Sequence, residues 1–148
     1  MRYFEDFRPG EVFELGEVTV TESEILEFAR RYDPQPIHVD PEAAREGPFG
    51  GLIASGWHTG SLFMRLFATD FLNPAASLAS PGLEELRWLR PVRPGDVLRG
   101  RYEILEAVPS TNDPGRGTLR GRGEFVNQQG EVVLRLVARN HFRRRGAG

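Results

Sequence analysis

Residues 56–72 read GWHTGSLFMRLFATDFL, and how much of this segment can face water decides the fold. At helical spacing, about 100° per residue, the polar residues His58, Ser61, Arg65 and Thr69 fall in one narrow stripe. Asp70 lies off it, near the C-terminal end. Most of the rest is apolar: Trp57, Leu62, Phe63, Met64, Leu66, Phe67, Ala68, Phe71 and Leu72. A helix apolar around most of its circumference must be largely enclosed. Arg65, Thr69 and Asp70 interrupt the apolar run, so it is not a membrane span.

The enclosing element lies in the second half of the chain. Leu98, Gly100, Tyr102 and Ile104 alternate with Arg99, Arg101 and Glu103. Leu119, Gly121, Gly123 and Phe125 alternate with Arg120, Arg122 and Glu124. After a turn at NQQGE (127–131), Val132, Leu134, Leu136 and Ala138 continue the pattern. Pro109 to Gly117 reads as a long hairpin loop, and Glu11 to Val20 as an edge strand. Consecutive, turn-connected strands make a mainly antiparallel sheet. Glycines inside strands permit strong bending. The expected architecture is α+β, a bent sheet wrapped around the helix that starts at Gly56.

Ahead of that helix stands RRYDPQPIHVDPEAA, residues 30–44. Thr21 with Glu24 matches a capping box, and Ile25, Phe28, Ala29 and Tyr32 form one apolar helical face. Pro34 stops this helix by disfavouring helical geometry at Asp33, and Pro36 acts likewise on Gln35. The loop is expected to be extended and stiff through both sites. Asp40-Pro41 opens a short helix as N-cap and first residue, and Gly47 ends it. A braced loop that carries Asp33 and His38 suits a pair of proton-transfer groups.

Composition narrows the function classes. The 148 residues are read as one domain, 1–148. There is no cysteine, hence no disulfide framework or thiolate site, and a reducing, cytoplasmic setting is permitted. All 19 basic residues are arginine, which excludes lysine nucleophiles and Schiff bases. The net charge of −2 argues against nucleic acid as a partner. Arg143 to Arg145, followed by Gly-Ala-Gly, reads as a frayed, solvated end. The start of the chain lacks the apolar core of a signal peptide.

These residues resemble the MaoC-like dehydratases, which include the R-specific enoyl-CoA hydratases. That family has the hotdog fold, a curved antiparallel sheet around a long central helix. Its signature is aspartate, one residue, asparagine-proline, one residue, histidine. Here it reads Asp33-Pro34-Gln35-Pro36-Ile37-His38, followed by Ala43-Ala44. GGLIASGWHTG (50–60) is similar to the family's entry into the central helix, and RWLRPVRPGDVLRG (87–100) to its strand–turn–strand. Two positions depart: Gln35 stands for the usual asparagine, and Ser55 stands where a histidine is common.

The resemblance implies hydration of an enoyl-CoA, or dehydration of a 3-hydroxyacyl-CoA, without cofactor. Asp33 and His38 would hold one water between them, one as base and the other as proton donor. The sequence leaves open which does which. The Gly56 N–H, unpaired at a helix start, would stabilise charge on the thioester oxygen. Gln35 and Ser55 would support the loop, Ser55 as N-cap. The implied partners are an acyl-CoA, or acyl-carrier protein, and a second copy of the chain in a homodimer or higher homo-oligomer.

Plainer readings stand beside these. Asp33 before a proline is a common turn pair, and His38 alone is an ordinary loop histidine. Together, ahead of a glycine-led helix, they read as catalytic. Asp40 as N-cap undercuts a metal site with His38, and the three histidines are dispersed, so no metal is expected. His58 is expected against a sheet edge or a second subunit, and His141 in solvent. Arg87, Arg90 and Arg93 read as solvated charges, although they could meet carrier phosphates. A hotdog thioesterase and a non-catalytic acyl-thioester binder are the rival functions.

Overall fold

In the computed structural model, which describes residues 1–146, the strands are β1 Val12–Thr19, β2 Gly82–Trp88, β3 Val97–Pro109, β4 Arg116–Val126 and β5 Val132–Arg143. They form one antiparallel sheet in the order β1-β3-β4-β5-β2, the hotdog architecture that the sequence resembles. β1 is an edge strand, as expected. β3 and β4 extend beyond their sequence signal: Pro109 pairs with Gly117, so the hairpin loop shrinks to residues 110–115. A register shift between Ile104 and Glu106 explains the difference. It breaks the period-two pattern while the backbone ladder continues.

The helices are α1 Glu22–Tyr32, α2 Pro36–Val39, α3 Pro41–Glu46 and α4 Gly56–Phe67. Thr21 caps α1 by accepting from the Glu24 N–H, and Asp40 caps α3 by accepting from the Ala43 N–H. α2 is a correction. The loop is not extended through His38, because Pro36 opens a helical turn for which its φ is already set. Asp33 and Gln35, each before a proline, stay non-helical. α4 ends earlier than its apolar pattern and passes into a wider π-type turn, Ala68–Leu72. There Asp70 accepts the Gly16 N–H at 2.8 Å, beside the irregularity between Glu14 and Glu17 in β1.

α4 packs on the face of β4 that carries Gly121 and Gly123. Phe63 sits over Gly123, where a Cβ would come within 2.4 Å of its ring. These glycines, expected as bending points, leave room for aromatic rings: Tyr102 fills the space over Gly121. Phe63, Phe67, Phe71 and Tyr102 are all buried, and each such side chain stabilises the fold by roughly 1.5–3 kcal/mol. The enclosure is one-sided, however. Trp57 is 60% and Met64 50% exposed, and Leu83 and Trp88 of β2 are exposed too. β2 is the outer strand of the sheet on that side.

The opposite face of the sheet carries rows of arginine and glutamate. Glu124 is 7% exposed and accepts Arg101 at 2.8 Å and Arg135 at 2.8 Å. Burial acts to raise its pKa, but the bonds from Arg135 and Arg101 outweigh burial and hold it below the ordinary glutamate value. A depressed folded value contributes stability above the unfolded pKa, about 4.3, which is lost as pH falls through the folded value. Glu124→Gln is therefore expected to cost roughly 1–3 kcal/mol at neutral pH. The gap to wild type should narrow on acidification in urea denaturation curves. A gap constant with pH would contradict this account.

The basic C-terminal triplet is not frayed. Arg144 pairs with Glu5 at 3.0 Å, and Arg145 pairs with Asp6 and lies over the Tyr3 ring. The last residues of the Gly-Ala-Gly end, 147–148, lie outside the described residues. Among the described residues no helix is long and apolar enough to cross a membrane.

Candidate active site

Two chain reversals bring Asp33 and His38 together. Asp33 closes α1, its N–H donating to Ala29 O. Pro34 then turns the chain away, and the Gln35 N–H donates back to Asp33 O at 2.8 Å. His38 sits in the single turn of α2, its N–H bonded to Gln35 O at 2.9 Å. As a result, His38 Nε2 lies 3.4 Å from Asp33 Oδ2. That is long for a direct charged hydrogen bond, and it leaves both edges available to one water.

The histidine ring is oriented from behind. Nδ1 lies 2.7 Å from Ile53 O. A carbonyl only accepts, so Nδ1 carries the proton and Nε2 faces Asp33. His38 is 5% exposed, and the Asp33 side chain is more open, at 18%. The Asp33 carboxylate is bound at both oxygens. Gln35 Nε2 donates to Oδ1 at 2.7 Å, and Ser55 Oγ donates to Oδ2 at 2.7 Å. The Ser55 bond, then the Gln35 bond, hold the Asp33 pKa below its ordinary value. Burial opposes them and the His38 charge assists.

Ser55 occupies the N-cap position of α4, but its hydroxyl makes no cap bond. It is fully buried and turned to Asp33 instead, which corrects the capping expectation. Gly56 follows. Its N–H donates to no group of the chain among the described residues. The Trp88 indole covers Gly56, with Nε1 donating to Gly56 O at 2.8 Å. A Cβ on Gly56 would come within 2.4 Å of that ring. Asp33, Gln35, His38, Gly56, Trp57 and Trp88 all line one open-sided cavity of about 460 Å³. This arrangement can hold a water against an imidazole and a carboxylate, with a free amide nearby.

Trp57 and Trp88 are additions to the sequence reading. Trp57 is not core: it meets Trp88 edge to face at 5.3 Å and lines the cavity. Its place next to Gly56 was the available signal. The 100° pattern could not reveal which side of the helix stays open. Arg87 pairs with Glu85, Arg90 with Glu131, and Arg93 with the Phe49 carbonyl, and only Arg90 lines the cavity. His58 is corrected too. It is buried and stacked on Phe28 of α1, 4.9 Å apart, rather than against a sheet edge. His141 is not in open solvent, since its Nδ1 meets Thr118 Oγ1 at 2.8 Å. Among the described residues there is no group of three or more His, Cys, Asp or Glu that could hold a metal.

Comparison with known proteins shows the family of the chain. Residues 6–118 match the family described as MaoC like domain. The crystal structure of a MaoC-like dehydratase from Rhodospirillum rubrum superposes with a TM-score of 0.90 at 41% identity, covering 97% of this chain and 99% of that one. The 3-hydroxyacyl-thioester dehydratase Z of Mycobacterium tuberculosis is 37% identical over 85% of this chain and 83% of its own length. The 3-hydroxybutyryl-CoA dehydratase of Methylorubrum extorquens is 29% identical over 90% of this chain and 83% of its own length.

Proposed function

The chain belongs to the MaoC-like dehydratase family, and from that premise we propose that it adds water to an enoyl-CoA, or removes it from a 3-hydroxyacyl-CoA, with Asp33 and His38 holding the water. The observation that carries the reading is the 3.4 Å approach of His38 Nε2 to Asp33 Oδ2 beside the cavity that Gly56 also lines. The names of the two relatives, both dehydratases of acyl thioesters, support the substrate class.

In hydration, His38 Nε2 takes a proton from the water as its oxygen bonds to the β carbon. The electron pair of the C=C bond shifts toward the thioester, whose oxygen gathers charge against the Gly56 N–H. The imidazolium then gives the proton to the α carbon, so the hydroxyl on the β carbon and the new hydrogen on the α carbon both come from one water. Asp33 stays anionic, aligns the water and stabilises the imidazolium. Dehydration is the reverse.

A second copy of the chain is the proposed partner. It would cover the exposed Trp57, Met64 and Leu83 and the outer edge of β2, which would otherwise stay open to water and to strand pairing. The test is a panel of enoyl-CoA thioesters followed at two signals. Hydration predicts loss of enoyl absorbance with no free thiol. Release of thiol would point to a thioesterase. Thermal protection by acyl-CoA with no turnover would point to a binding protein.

A further inference from the structure

Gln35 and Ser55 touch the same carboxylate. They are 20 residues apart in sequence and lie on different elements. Gln35 sits at the N-cap position of α2 and Ser55 at that of α4, and neither side chain caps its helix. Both are spent on Asp33, one per oxygen, each at 2.7 Å.

We propose that Gln35 and Ser55 form one positioning unit for Asp33, fixing the rotation of its carboxylate and keeping it the charged partner while His38 exchanges the proton. Two neutral donors on opposite oxygens leave the carboxylate no free rotation. Held at both oxygens, the carboxylate keeps Oδ2 facing the water site that it shares with His38 Nε2. Each donor also favours the anion over the acid. A carboxylate already accepting at both oxygens is a poor proton acceptor, which leaves Nε2 as the basic edge of the pair. The longer stem of glutamine lets its amide reach back two residues. The small serine lets a hydroxyl stand beside Oδ2 in a fully buried position.

The assignment of the proton rests on the hydratase reading above, whereas the carboxylate clamp does not. The experiment therefore carries two readouts: the Asp33 carboxyl titration by ¹³C NMR, assigned with Asp33→Asn, and kcat and KM for a short enoyl-CoA. Ser55→Ala, Gln35→Ala and the double variant are compared with wild type. The expected result is a raised titration midpoint in each single variant and a larger rise in the double. kcat should fall roughly tenfold per lost donor, as expected for one hydrogen bond to a charged group, with KM little changed. Ser55→Thr, which keeps the hydroxyl, should restore the wild-type midpoint. Gln35 is exposed, so Gln35→Ala folds whatever happens at the buried Ser55. An unmoved midpoint in the double variant overturns the proposal, as does a moved midpoint with unchanged kcat. If wild type hydrates no enoyl-CoA while the midpoint still moves, the hydratase reading falls and the clamp stands.

Discussion

His38→Ala and Asp33→Ala are each expected to lower kcat/KM for an enoyl-CoA by about 10²–10⁴-fold, the range for losing a positioned acid–base group. The histidine variant removes the only imidazole at the cavity and leaves the Ile53 carbonyl without its donor. The aspartate variant leaves the buried Ser55 hydroxyl without its acceptor and removes the charge 3.4 Å from Nε2. Each vacancy costs roughly 1–3 kcal/mol of stability, which a domain of this size tolerates. Both proteins are expected to melt cooperatively at a reduced temperature. Steady-state kinetics with thermal melts separates lost chemistry from lost fold. Wild-type turnover in either variant would end the mechanism.

Gly56→Ala has the second largest expected effect, a loss of up to about 10²–10³-fold in kcat, the range for an oxyanion donor put out of reach. Two physical routes lead there. The new Cβ would lie 2.4 Å from Trp88 Cε2 and 2.6 Å from Nε1, so the indole must move and its bond to Gly56 O must break. The methyl group also stands beside the N–H that the thioester oxygen has to reach. Helix formation itself is not the cause, because alanine is the better helix former by about 1 kcal/mol. A Gly56→Ala/Trp88→Ala double variant distinguishes the routes. If access to the amide is the problem, activity stays low after the clash is relieved. Recovery to wild-type rates in the double variant would assign the loss to the Trp88 clash and not to access to the amide.

Some of this was readable from residue order, and for physical reasons. The Thr21 and Asp40 caps are contacts between residues three apart, so local chemistry decides them. The alternation in β3 to β5 reports which side of each strand is dry, and that is enough to place a sheet against α4. Local logic failed where long-range packing overrode it. Pro36 is a separate, local case: it keeps Gln35 extended as expected, and its own φ, already set for a helix, starts α2. The Ser55 hydroxyl, an ordinary cap by position, turns to a carboxylate 22 residues away. Asp70, off the polar stripe of its helix, satisfies a backbone amide of β1.

Residue order by itself therefore determined the class of fold and the two side chains that its proline-braced loop carries. Period-two and 100° patterns encode burial, and prolines encode local backbone geometry. Tertiary structure alone decided that Asp33 and His38 stand 3.4 Å apart, that Gln35 and Ser55 bind opposite oxygens of one carboxylate, and that Trp88 covers Gly56 while α4 stays open along one side. Those facts depend on where separate elements meet in space, and a pattern along a chain reports the solvent side of each element without reporting its neighbour.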